Sequence, residues 1–133
     1  LKQAKSELDR KVAEAISKAN EAITEANQNK NSEDKDKLSS VLEQISKAKS
    51  ELEKAKQNSE AANDSENKKK CEDKLLELIN SENEIKDQKA KVENKEKEIA
   101  KSKEAVKKQI EALDKEIAKV NKAISDKNKA NIG

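Results

Sequence analysis

The chain of 133 residues contains no proline, phenylalanine, tyrosine, tryptophan, methionine or histidine, one cysteine, and one glycine at its last position. Without internal Pro or Gly nothing breaks a helix, and no glycine-rich loop of the P-loop or dinucleotide-binding kind can be formed. Without histidine, and with Cys71 alone, no Ser-His-Asp, Cys-His or zinc constellation can be assembled, so neither a catalytic site nor a metal or cofactor is expected. The lone Cys71 also excludes an internal disulfide framework, and its plain reading is a small buried hydrophobe. Absent aromatics leave no platforms for base stacking, and Arg10 is the only arginine among 30 basic residues. Sequence-specific nucleic-acid recognition is therefore not expected. No run of eighteen apolar residues occurs, so no transmembrane segment is predicted. The missing methionine predicts that a segment precedes Leu1, either a processed signal region or more of a longer chain.

Charge, by contrast, is plentiful and nearly balanced. Charged residues make up 44% of the chain, with 30 basic against 28 acidic and a net charge of +2. Such a composition fits either a disordered polyampholyte or a coiled coil, and periodicity decides for the second. Steps of four and three residues connect Cys71, Leu75, Leu78, Glu82, Ile85, Lys89, Val92, Glu96, Ile99, Lys103, Val106, Ile110, Leu113, Ile117, Val120 and Ile124 without a phase change. At about 1.5 Å per residue this stretch predicts a helix of roughly 80 Å.

Two further stripes precede it. Leu8, Val12, Ala15, Ala19, Ala22 and Ala26, widened by Ile16 and Ile23, form the first, and Leu38, Val41, Ile45, Ala48, Leu52 and Ala55 form the second. Residues 27–37 contain nothing apolar, and Ser32 before Glu33 and Asp34 is the expected N-cap there. Asn63, Asp64 and Ser65 are the densest turn signal. A capping-box match of Ser81 with Glu84 is discounted, because the heptad phase runs through it.

These features predict an all-α fold, an elongated antiparallel helical hairpin or coiled coil in which two shorter helices pack along one long helix. It is expected to be a single domain over residues 1–133 with helices at about 2–27, 33–61 and 66–129. Folding back at 63–65 sets residues 8–26 opposite 103–120 and 38–55 opposite 73–90, so that the polar gap meets Glu96 and Lys103. Charged a positions of this kind cost stability but fix register. An Ala-rich seam in a single hairpin predicts further burial of residues 106–124 in a homodimer.

For a chain without a pocket, partners are expected on an exposed face. Lys68, Lys69 and Lys70 form a basic run at the hairpin tip, and Lys95, Lys97 and Lys101 lie in a lysine-rich stretch, 86–108, with nine lysines against five acids. These six are the candidate partner-binding residues, set against the blander reading of solvated helix faces.

The segments KANEAITEANQNKNSEDKDKL and VLEQISKAKSELEKAK resemble the all-helical outer-surface lipoproteins of Borrelia in their Lys, Glu, Asn, Ile and Ser usage. The resemblance is compositional and covers most of the chain. It implies a virulence-associated surface protein of the bacterial cell outer membrane, lipid-anchored through upstream sequence. The partner it implies is a host extracellular protein, for example a complement regulator such as factor H, bound in immune evasion or adhesion. The alternative is a coiled-coil spacer or self-association module, envelope-bound or cytoplasmic.

Overall fold

A computed structural model describes residues 2–132 as three helices, α1 Lys2–Asn29, α2 Lys35–Ala61 and α3 Ser65–Ile132, with no strand among them. The all-α fold with helices packed on one another is as expected. The chain divides into two units, Leu1–Glu93 and Asn94–Gly133.

In the first unit α1, α2 and the opening part of α3 enclose one core. It is built from Leu8, Val12 and four alanines of α1, from Leu38, Val41, Ile45, Ala48, Leu52 and Ala55 of α2, and from Cys71, Leu75, Leu78, Ile85 and Val92 of α3. These are the heptad positions of the sequence, because only a stripe three and four apart stays on one face of a helix.

The partner of α1 differs from expectation. Rather than lying opposite residues 103–120, α1 reverses at residues 30–34 and runs antiparallel to α2. Lys18 Nζ meets Glu51 at 2.9 Å, and Lys37 Nζ lies 4.0 Å from Glu25. The physical reason is connection length: a link of a few polar residues makes consecutive helices antiparallel neighbours. Its alanines then serve close approach of backbones rather than bulk.

Caps set the two reversals. Asp34, not Ser32, is the N-cap of α2, and its Oδ1 accepts from the backbone N–H groups of Asp36 and Lys37 at 3.0 and 3.2 Å. Ser32 Oγ instead accepts from the Asp34 backbone N–H, tightening the turn before the cap. From α3, the Gln88 side-chain amide donates to the Ser32 carbonyl at 2.8 Å and pins this turn to the bundle.

At the second reversal Asn63 adopts φ 56°, the left-handed conformation that Asn tolerates better than most residues. The Asp64 N–H donates to the Ser59 carbonyl and the Asn63 N–H to the Glu60 carbonyl. That pair is a Schellman closure, which satisfies the last carbonyls of α2. α3 then runs without a break through Ser81 and Glu84. Glu82, a charged position in the predicted seam, is met by Lys49 of α2 at 3.3 Å, so a costly core-edge charge selects the α2–α3 register.

Candidate interaction surface

The tip between α2 and α3 is the more constrained of the two regions where partners were expected. Asp64 Oδ1 accepts from the Asn67 backbone N–H at 3.1 Å, and its Oδ2 accepts from the Asn67 side-chain amide at 2.8 Å and from Lys5 at 3.2 Å. The buried Asn67 amide also donates to Asp9 of α1 at 2.7 Å. One hydrogen bond, Asn67 to Asp9, and one ion pair, Lys5 with Asp64, thus tie the start of α1 to the start of α3.

The electrostatics follow. The Asn67 side-chain amide, with Lys5, holds the Asp9 carboxyl below its ordinary value, and the Asn67 backbone N–H, with Lys5, does the same for Asp64. Lys5 is pushed up, chiefly by Asp64. A carboxylate lowered on folding contributes stability that is complete above its unfolded value, about 4, and is lost as pH falls through the folded value. A raised lysine contributes below its unfolded value, about 10.4, and loses that contribution as pH rises further. The Asn67 side-chain amide resonances are therefore expected to stay constant from neutral pH down to the ordinary aspartate range and to move below it. In Asn67→Ala, which removes the side-chain amide but keeps the backbone N–H, Asp9 should titrate closer to that range while Asp64 stays lowered; unchanged titration of Asp9 would remove the cluster from the account.

Of the basic run, Lys68 lies 3.7 Å from Glu60 and 3.9 Å from Glu72, and Lys70 lies 3.7 Å from Glu66. Lys69 is exposed. The acids beside Lys68 and Lys70 offset much of their field, so the tip is a mixed-charge surface. Cys71, one residue further on, is buried; desolvation, with the Glu72 charge, pushes its thiol up. It fills core volume, as expected.

Lys95, Lys97 and Lys101 belong to the second unit, whose described residues form the last part of α3. All three are exposed, so the six candidate lysines fall into two groups on separate units. Lys97 and Lys101 occupy b and f positions, away from the apolar seam. Lys95 borders it, in a shallow groove it shares with Glu98, Ile99, Ser102, Lys103 and Val106.

The feature that dominates this unit is the seam itself. Ile99, Val106, Ile110, Leu113, Ile117, Val120 and Ile124 are each between 49 and 59% exposed, whereas the equivalent positions of the first unit are buried. Seven large aliphatic side chains along one face, interrupted by Lys103, form an apolar patch at the upper end of the roughly 300–600 Å² of the largest patches on monomers, which are often functional. The sequence identified these residues by spacing, although it assigned part of the stripe to α1. Among the described residues no group of three His, Cys, Asp or Glu side chains is placed to hold a metal ion, and no helix is long and apolar enough to cross a membrane. Comparison with protein families, curated proteins and solved structures finds nothing that matches the chain.

Proposed function

We propose that the protein is a non-enzymatic helical interaction module: the first unit supplies folding stability, and the stripe from Ile99 to Ile124 receives a helical partner. The exposed heptad seam carries this reading. A convex row of aliphatic side chains at spacings of three and four has no cavity for a small ligand, but it offers knobs and holes to another helix of the same periodicity. The compositional likeness to outer-surface lipoproteins supports a bacterial surface location and extends the proposal to a host protein such as factor H. Self-association is the alternative partner.

The test compares the parent with an Ile110→Asp, Ile117→Asp double variant, by sedimentation velocity of the purified chain and by surface plasmon resonance against purified factor H. The variant is expected to lose whichever association the parent shows, by about tenfold or more, while the first unit melts as before. Identical association by parent and variant would move the contact off the stripe and overturn the proposal.

A further inference from the structure

We infer that the occupant of the stripe is a second copy of this chain, lying antiparallel over residues 96–127; this deepens the function proposed above and rests on it. Charge complementarity chooses both the partner and its direction. In an antiparallel coiled coil each a residue layers with a d residue of the other helix. Centring the pair between Glu111 and Ala112 layers Ile110 on Leu113, Ile117 on Val106 and Ile124 on Ile99 of the second copy, each twice by symmetry. Six of the seven half-exposed aliphatic residues of the stripe then have an aliphatic partner, and the seventh, Val120, faces Lys103.

The polar positions agree with the same register. Lys103 faces Val120 of the second copy, where its alkyl stem covers apolar surface and its ammonium reaches water. At both ends of the overlap Glu96 layers with Lys127 of the second copy. Beside the seam Lys107 comes next to Asp114 of the second copy, again twice. A parallel in-register pair would instead stack Glu96 on Glu96 and Lys103 on Lys103, and would set Lys107 against Ser102 and Asp114 against Gln109, with no charge pair. Like charges facing each other within a seam disfavour that arrangement.

The area is adequate. Seven side chains about half exposed offer roughly 600 Å² on each copy, and the stem of Lys103 with the flanking Ala100 and Ala123 brings this toward the ~800 Å² per partner of a standard interface. Most helix stability comes from tertiary packing of an apolar face, and pairing of two such faces supplies that packing here.

The experiment uses the full chain in a Cys71→Ala background. A nitroxide on Lys97→Cys is expected to report a separation near 43 Å in the antiparallel dimer, because the two sites lie 29 residues apart along the common axis at about 1.5 Å each. A parallel in-register dimer would give a distance close to one helix diameter, about 10–12 Å before the label linkers. Sedimentation equilibrium supplies the second arm. Lys107→Asp and Asp114→Lys should each weaken the dimer about tenfold by placing like charges together twice, and the combined exchange should restore it to within about twofold.

A short separation, a trimer mass, or single substitutions without effect would overturn the antiparallel pair. A chain that stays monomeric at hundreds of micromolar, yet whose factor H response still falls in the Ile110→Asp, Ile117→Asp variant, would discard the second copy and leave the stripe as the interaction surface. Stripe substitutions that change nothing would discard both.

Discussion

Ile85→Asp is expected to unfold the first unit at room temperature. Ile85 has 0% exposure and belongs to the core that α1, α2 and the start of α3 enclose. Truncating a buried isoleucine costs about 2–5 kcal/mol. A carboxyl in its place adds the desolvation of a polar group without a partner, at least a further ~1–3 kcal/mol. A domain of this size has about 5–10 kcal/mol in total, and a core with many alanines lies toward the lower end. Far-ultraviolet circular dichroism should show the loss of the cooperative transition. Leu76→Asp is the control: Leu76 is 63% exposed, and the same substitution there is expected to stay within about 0.5 kcal/mol.

Ala22→Leu is expected to destabilise as well, though less, and for the opposite reason. Ala19 and Ala22 have 0% exposure, and Ala26 has 1%. Three such alanines in succession along α1 are a stripe of small residues against which neighbouring helices lie closely. Three added heavy atoms have no void to enter, and overpacking of this kind costs about 1–3 kcal/mol. For a unit of this size the upper end corresponds to a fall in melting temperature of about 10–20 °C. Ala13→Leu, on the exposed side of the same helix, should leave the midpoint almost unchanged. A tolerated Ala22→Leu would mean that α1 is held only toward its ends, by the Asp9–Asn67 hydrogen bond and the Lys37–Glu25 ion pair.

These two substitutions mark where the sequence could be read and where it could not. The three apolar stripes were legible because helical spacing is a local property, and every buried aliphatic position of the first unit lies on one of them. The turn at Asn63 was legible for the same reason: Asn, Asp and Ser there each have local uses in closing one helix and starting the next.

What was not legible was the choice of partner for α1. Any alanine-rich stripe satisfies several apolar stripes equally, and the match of the polar gap with Glu96 and Lys103 fitted a longer hairpin as well. A connection short enough to force an antiparallel neighbour was the signal that could have decided it: the expected helices 2–27 and 33–61 already left only five residues between them, as many as the observed link 30–34. Among the candidate lysines, pairing of Lys70 with Glu66 could be read from a spacing of four. The approach of Lys68 to Glu60 spans the reversal and depends on the turn geometry. The exposure of the stripe from Ile99 to Ile124 follows from the partner of α1, so it could only be read once that partner was known.

Amide hydrogen exchange measured at two protein concentrations tests the central claim most directly. If the stripe pairs with a second copy, amides of residues 99–124 should be protected at high concentration and lose protection on dilution through the dimer dissociation constant. Amides of the core helices in residues 8–92 should not respond to dilution. Protection of residues 99–124 that is the same at every concentration, or absent at all of them, would contradict the account.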